Sequence, residues 1–344
     1  MGKDAGVFLN WIFEPGAEID LDEDDVRVRP NPKGSRPRTK KRPDTSTLPT
    51  GMVLQVHLAR YRILMDSGVE VLATLAKELR GEGCVVGDRV AVSGDTSGTK
   101  DALSRIVRIE PRTTALTRSS EESEGQQTIV ANATQLVVVV AAANPEPKPR
   151  LVDRYLVAAF DQGLKPILVI TKSDLSDPAE FIANLSGFDL KVVTVNKDQS
   201  DLSELEALLE NQVSVFAGHS GVGKTTLINR LSPGYQRATG EVNEVTGKGK
   251  HTSSSALALR FRNGWIIDTP GIRTFGLKGI SSRSLLKGFA DISEVSERCP
   301  RDCSHLSAAP DCELDEATKS GDLSALRLDS YRRLAEEIGA LEYS

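Results

Sequence analysis

The order of three short motifs constrains the fold of this chain more than any other feature of its sequence. Thr171-Lys172-Ser173-Asp174 follows an apolar run and has the form Asn/Thr-Lys-x-Asp. A glycine-rich loop at 218–225 comes next, and Asp268-Thr269-Pro270-Gly271, of the form Asp-x-x-Gly, comes last. In Ras-like domains the glycine-rich loop comes first and the Asn/Thr-Lys-x-Asp motif comes near the end. The order therefore predicts a circularly permuted domain of that class, whose last motif leads directly into a C-terminal extension.

The glycine-rich loop matches a phosphate-binding loop. It consists of Gly218, His219, Ser220, Gly221, Val222, Gly223, Lys224 and Thr225, and Thr226 follows it. Its glycines allow backbone N–H groups to converge on a β-phosphate at the positive end of the following helix. Lys224 would neutralise phosphate oxygens, and the Thr225 hydroxyl would bind magnesium. A predicted strand before the loop and a predicted helix after it supply the required context, so nucleotide binding is expected.

The segment Thr171 to Asp174, with Lys172 and Ser173 between, predicts that the base is guanine. Asp174 can accept hydrogen bonds from guanine N1–H and from the exocyclic amine, a pair of donors that adenine lacks. The stem of Lys172 can lie on the ring. An ATPase or kinase with the same phosphate loop is one alternative, although Asp174 argues against it. A non-catalytic RNA-binding scaffold that merely binds nucleotide is the other.

The last motif predicts contacts to magnesium and to the γ-phosphate. Asp268 would hold the metal through water, and the Gly271 N–H would meet the γ-phosphate. Ile272 follows, where Ras-like enzymes carry the Gln that positions the attacking water. An aliphatic side chain cannot orient a water molecule, so slow intrinsic hydrolysis is expected.

The loop at 246–255 lies between the phosphate loop and Asp268, which makes it the predicted first switch. Thr252 in this loop is the expected ligand of magnesium and of the γ-phosphate. His251, one of four histidines in the chain, is the predicted catalytic residue, because its imidazole could replace the missing Gln.

A cluster of cysteines near the C-terminus predicts a metal site. Cys299, Cys303, His305 and Cys312 offer four soft ligands within a short segment. Three thiolates and an imidazole make a closed tetrahedral zinc site, which is structural because no position stays open. The spacing is not that of a common zinc finger, so chance clustering is the alternative. Cys84 is predicted to be a small apolar core residue.

Composition divides the chain into five predicted segments. Residues 1–47 form an acidic, then basic and Pro-rich tail, which is either disordered or a basic arm that lies on nucleic acid. Residues 48–115 hold five short strand patterns, which suit a small β-barrel such as an OB-fold or another small barrel. Residues 116–130 are a polar linker, 131–282 form the permuted α/β GTPase domain, and 283–344 form a helical zinc-binding domain.

Composition also bears on location. The chain has 344 residues, of which 39% are hydrophobic, and it is long enough for two or three domains. The longest strongly apolar run, Leu136 to Ala143, is too short to span a bilayer. The first residues do not form a charged-then-apolar leader. We therefore expect a cytoplasmic protein without a membrane partner.

The motifs together resemble the RsgA (YjeQ) family, the bacterial circularly permuted GTPases that act in maturation of the small ribosomal subunit. The resemblance covers about residues 48 to 340. It rests on 86–90, 151–156, 218–226, 247–252, 268–277 and 301–305. It implies an OB–GTPase–zinc architecture, one structural Zn²⁺, Mg²⁺ with GTP, and contact with 16S rRNA. It also implies GTP hydrolysis stimulated by the small subunit, with His251 as the catalytic residue and release after hydrolysis to GDP. A monomer is expected.

The chain departs from the family pattern at several positions. Thr171 stands where the family usually has Asn, and Val195-Asn196 falls where it has a Ser-Ala pair. The first two cysteines are one residue closer together, and the histidine and last cysteine are one residue further apart. The sequence therefore leaves open whether Val195-Asn196 contacts the base.

Overall fold

The computed structural model describes residues 45–99, 102–119, 126–185, 188, 190–197, 201–233, 256–269 and 280–342. These residues all belong to one unit, Thr45–Ser344. The predicted charged tail lies outside the described residues except for its last three positions. The predicted first switch and Gly271 also lie outside them.

A five-stranded barrel opens the described chain. Its strands are β1 (Thr50–His57), β2 (Arg60–Met65), β3 (Glu70–Leu75), β4 (Arg89–Ser93) and β5 (Leu103–Ile109). They pair in the order β1-β2-β3-β5-β4, and β4 returns to β1. Strands β3 and β5 are parallel. Alternate residues of β2, namely Tyr61, Ile63 and Met65, face the barrel core because successive strand side chains point to opposite faces. The strand order is that of an OB-fold, so the predicted barrel is confirmed.

A two-stranded ribbon follows the barrel. Strands β6 (Ala115–Ser119) and β7 (Gln126–Ala131) pair antiparallel, within the segment that the sequence predicts to be a polar linker. Leu116 and Val130 are fully buried, and the Ala131 N–H donates to the Val86 carbonyl at 2.9 Å. A Cβ on Gly87 would lie 2.0 Å from the Ala131 oxygen. The apolar residues of this segment therefore pack into the core of the α/β domain, while its backbone bonds to the barrel at Val86.

The α/β domain has the strand order of a Ras-like sheet. Its elements are β8 (Gln135–Ala141), α1 (Pro149–Asp161), β9 (Lys165–Thr171), α2 (Ala179–Ala183), β10 (Lys191–Val195), α3 (Ser203–Leu209), β11 (Val213–Ala217), α4 (Lys224–Leu231), β12 (Leu257–Phe261) and β13 (Gly264–Asp268). The order is β10-β9-β8-β11-β13-β12, and only β12 runs antiparallel to its neighbour within this domain. All residues of β8 are buried, as expected for a parallel strand covered on both faces.

The barrel and the α/β sheet are joined edge to edge. Strand β1 pairs antiparallel with β12 through Gln55 and Leu257, so the two sheets form one eleven-stranded sheet. Strand β12 is the first described element after the predicted first switch. The barrel is thus attached to the strand that follows the predicted first switch in the sequence.

Four helices end the chain: α5 (Ser282–Lys287), α6 (Ala290–Ser296), α7 (Glu313–Ser320) and α8 (Ala325–Glu342). They share a hydrophobic core with α1 and the α/β sheet. Arg327 on α8 is buried between the rings of Phe188 and Phe289, 3.8 and 4.3 Å from the two ring centroids, and pairs with Asp291 at 3.1 Å. No helix within the described residues has the length and apolarity needed to cross a membrane.

Candidate active site

The sheet brings the predicted motifs to one edge. Strand β9 ends at Thr171, β11 ends at Ala217 just before the phosphate loop, and β13 ends at Asp268. These strands run in the same direction. Their carboxyl ends therefore meet on one side of the sheet, where ligands of such sheets bind.

The phosphate loop has the backbone form that its glycines predict. Gly221 and Gly223 have φ angles of 85° and 89°, a region that other residues rarely adopt. At Gly218 a Cβ would lie 2.5 Å from the Val139 carbonyl oxygen, so only glycine fits there. Helix α4 begins immediately after the loop, at Lys224, and directs its positive end toward the loop.

The lysine that is predicted to bind phosphate and the carboxylate that is predicted to hold magnesium lie in contact. The Lys224 Nζ is 2.5 Å from Asp268 Oδ1, and it lies 3.4 Å from the Thr269 carbonyl. Asp268 is 1% exposed. The Thr269 hydroxyl donates to the Phe216 carbonyl at 2.8 Å, which ties the end of β13 to β11. Thr225 follows Lys224 and is partly exposed.

The base-reading segment is bonded to the phosphate loop. The Thr171 hydroxyl lies 2.5 Å from the Val222 carbonyl and 3.1 Å from the Val140 carbonyl. The Lys172 Nζ donates to the Gly221 carbonyl at 2.9 Å and also to the Asn144 carbonyl. Thr171 and Lys172 therefore hold the loop that would bind phosphate. This leaves Asp174, which is exposed, as the polar group available to read a base.

A cavity of about 400 Å³ lies beside Asp174. Its walls come from the ends of β9 and β10 and from one side of α4. The lining residues include Thr171, Lys172, Asp174, Val195, Asn196, Lys197, Gly223, Thr226 and Arg230. Val195 and Asn196, which the sequence left unassigned, therefore belong to this cavity. Thr226 is exposed at its edge, next to the helix start.

The remaining predicted nucleotide ligands divide into two groups. His219 and Ser220 lie in the phosphate loop, where the His219 Nδ1 is 2.9 Å from the Ser220 carbonyl. The Ser173 N–H donates to the Val195 carbonyl at 3.4 Å, which links the base-reading segment to the end of β10. His251, Thr252 and Gly271 lie outside the described residues.

The structure brings the four predicted metal ligands together. One ligand atom each from Cys299, Cys303, His305 and Cys312 lies within 4.8 Å of all the others. The His305 Nδ1 is buried and has no hydrogen-bond partner within the described part of the chain, and burial lowers the pKa of this histidine. A neutral imidazole is the form that binds metal. The residues thus fit a zinc ion.

The thiol chemistry agrees with that fit. The pKa of Cys312 is raised to about 11, mostly by burial and in smaller part by the neighbouring thiols of Cys303 and Cys299. Three thiols this close resist ionising together unless a cation is bound among them, because like charges disfavour one another. By contrast, Cys84 is buried in the barrel core, and burial raises the pKa of its thiol. Its predicted role as an apolar residue is confirmed.

Arg332 on α8 contacts the cysteine cluster on one side. Its Nε donates to the His305 carbonyl at 3.0 Å, and its two Nη groups lie 2.7 and 2.9 Å from the carboxylate of Asp315. One of them is 3.9 Å from the Cys312 Sγ. Such outer contacts orient metal ligands. The sequence does not predict a role for Arg332 or for Arg230, because nothing in the local sequence indicates a contact between residues that lie far apart in the chain.

The arrangement defines a class of protein. A Ras-like sheet whose base-reading loop precedes the phosphate loop, with both loops on one cavity, is a circularly permuted GTPase. A sequence model described as RsgA GTPase matches residues 109–278. The chain is 36% identical over 296 residues to the "Small ribosomal subunit biogenesis GTPase RsgA" of Pseudomonas syringae pv. tomato, covering 83% of this chain and 84% of that protein. The chain belongs to the RsgA GTPase family.

Other relatives agree over most of their length. The protein of the same name from Chlorobaculum tepidum is 36% identical over 305 residues, covering 84% of this chain and 98% of that protein. The crystal structure of YjeQ from Thermotoga maritima has a TM-score of 0.66 at 25% identity and covers 84% of this chain and 98% of that one. YloQ, described as a circularly permuted GTPase, gives 0.65 at 25% identity over 87% and 98%.

Proposed function

We propose that this GTPase acts on the small ribosomal subunit: it binds the subunit with GTP, assists a late step of maturation, and leaves after hydrolysis. Relatives of this chain are named small ribosomal subunit biogenesis GTPases, which supports a role in maturation of that subunit. The single observation that carries the proposal is the edge-to-edge pairing of β1 with β12. It attaches a barrel of a kind that often binds nucleic acid to a strand near the first switch, so that RNA contact and nucleotide state can influence each other.

The nucleotide chemistry follows from the motifs. Asp174 would read guanine, while Lys224 and the N–H groups of the phosphate loop would hold the β- and γ-phosphates. Thr225 and Asp268 would hold Mg²⁺, which supplies charge neutralisation when it is bound with GTP. Thr252 and Gly271 would meet the γ-phosphate, and His251 would orient or deprotonate the attacking water. The sequence supports these last three roles.

The outer face of the barrel is suited to the phosphates of 16S rRNA. Four arginines of the barrel domain pair with acids of the same domain: Arg62, Arg89, Arg108 and Arg112. Four other basic residues are exposed and form no ion pair with any described residue: Arg60, Lys77, Arg80 and Arg105. Arg60 and Arg105 both stand opposite Thr74, on β2 and β5 respectively. They therefore project from the same face, about 10 Å apart across two strand spacings.

The remaining assignments follow the family. One structural Zn²⁺ held by Cys299, Cys303, His305 and Cys312 would fix the loop before α7, because a closed set of four ligands leaves no position for substrate. We propose a monomer that acts in the cytoplasm, where small ribosomal subunits mature.

The experiment that tests the proposed function is a GTPase assay with purified ribosomal subunits. GTP turnover by the protein alone should be slow, and small subunits should stimulate it strongly whereas large subunits should not. ATP should neither be hydrolysed nor compete with GTP. Equal rates with and without small subunits would contradict the proposal, and turnover of ATP would point to the ATPase alternative.

A further inference from the structure

The loop after β10 is held by a side chain of the phosphate-loop helix. The Nη1 group of Arg230, in the last turn of α4, donates to the Asn196 carbonyl at 3.2 Å. Asn196 directly follows β10. Both residues are partly buried and both line the 400 Å³ cavity beside Asp174. The contact joins two parts of the cavity wall that are 34 residues apart in the chain.

The contact occurs in the pair Val195-Asn196, for which the sequence leaves open whether it contacts the base. The β10 end is also attached through its strand pairing to Thr171 and through the 3.4 Å bond from Ser173 N–H to the Val195 carbonyl. The hydrogen bond from a charged guanidinium is the stronger kind. Arg230 therefore helps to fix the position of this loop.

The loop also offers a donor to a bound base. Lys197 lines the cavity, and its backbone N–H has no hydrogen-bond partner among the residues that the structure describes. Guanine presents an acceptor, O6, at the position where adenine presents an amine. A backbone N–H held at this wall would donate to guanine O6 and so favour guanine. With adenine, the same N–H would face the exocyclic amine, which is also a donor. Asp174 reads the other side of the base, so the two contacts are separate.

We propose that Arg230 is a positioning residue for guanine recognition: by holding Asn196, it keeps the Asn196–Lys197 backbone where it can donate to O6. This inference rests on the proposed guanine site at Asp174. Arg230 does not touch the base. It acts through the loop, and its loss should therefore change selectivity between bases without changing the phosphate contacts.

The test measures the affinities of GDP, IDP and ADP in the full chain. IDP keeps O6 but lacks the amine that Asp174 reads. Arg230→Ala should weaken GDP and IDP equally, by about tenfold for one charged hydrogen bond, and leave the weak ADP affinity unchanged. Arg230→Lys should restore most of the preference, because it keeps a cationic donor. Lys191→Ala removes an exposed cation at the other end of β10 and should change nothing.

The outcomes separate this inference from the proposed base reader. If Asp174→Asn abolishes the GDP-over-ADP preference and Arg230→Ala keeps it, the guanine site stands and the role of Arg230 is overturned. Equal weakening of all three nucleotides by Arg230→Ala would also overturn it, since that result indicates a general effect on α4. If Asp174→Asn keeps the preference, the base-reading assignment itself fails.

Discussion

At the scale of single residues, Thr171 connects the base-reading segment to the phosphate loop with one hydroxyl. Its hydrogen can be donated to the Val222 carbonyl at 2.5 Å or to the Val140 carbonyl at 3.1 Å, but not to both at once. An Asn at this position would have two amide hydrogens and could serve two acceptors. Thr171 therefore keeps the connection with fewer hydrogen bonds, and Lys172 adds a second connection through the Gly221 carbonyl.

Removing the Thr171 hydroxyl should weaken the site. Thr171→Val keeps the volume but leaves buried carbonyls without their donor, which costs about 1–3 kcal/mol in unfolding free energy. GDP should bind less tightly because the phosphate loop loses a support. Denaturant unfolding and a GDP titration measure the two effects. Thr171→Ser, which keeps the hydroxyl, is the matched control, and a Val variant as stable as that control would contradict the assigned role.

His251 is the residue-scale prediction that depends on the ribosome. Ile272 cannot position water, so an activated enzyme needs another group at the γ-phosphate. His251→Ala should leave GTP affinity and slow basal turnover nearly intact. It should lower the subunit-stimulated rate by on the order of 10²–10⁴-fold, as expected for a positioned proton-transfer group. Single-turnover hydrolysis with and without small subunits measures this, and full stimulation of the variant would remove His251 from the mechanism.

At the scale of elements, sequence patterns predicted what is local. The all-apolar β8 and the alternating β2 have the burial that their periodicity predicts. The glycines of the phosphate loop predict its backbone form. Strands β6 and β7 were missed because they are short and rich in polar residues, and Leu116, Val130 and Ala131 are the fully buried residues among their described side chains. Contacts such as Arg230 with Asn196 could not be predicted, because no periodicity connects residues on separate elements.

The metal site is the element-scale prediction. Cys312→Ser should lower the zinc content well below one ion per chain, because the remaining ligands cannot close the site. Tm should fall by on the order of 10 °C. This corresponds to a loss of about 3 kcal/mol in unfolding free energy, because 1 kcal/mol moves the Tm of a domain of this size by about 2–4 °C. Elemental analysis and thermal melting measure both. Cys84→Ala, which removes a buried thiol outside the cluster, should keep its zinc. The assignment would be contradicted if the wild-type protein contained no zinc and melted at the same temperature as Cys312→Ser.

At the scale of the whole molecule, the barrel, the α/β sheet and the C-terminal helices are joined by strand pairing, a shared hydrophobic core and ion pairs. Pairing of Gln55 with Leu257 makes one sheet of the first two. The C-terminal helices share a hydrophobic core with α1. Two ion pairs also join α1 to α8: Arg154 with Glu337, and Arg333 with Asp153. A subunit bound at the barrel, as proposed, would contact the same sheet that contains β12, the strand after the predicted first switch. This connection supports coupling between RNA contact and hydrolysis.

The barrel face should then account for part of the salt dependence of subunit binding. The double variant Arg60→Glu with Arg105→Glu removes two exposed cations from one face. It should weaken binding to small subunits and lower the slope of log affinity against log salt by about two, roughly one for each phosphate that is no longer neutralised. GDP affinity should not change, because neither residue lines the nucleotide cavity. Lys165→Glu with Lys191→Glu makes the same change in net charge at exposed positions on the α/β sheet and serves as the control. An equal reduction in both double variants would mean that overall charge, and not this face of the barrel, governs binding.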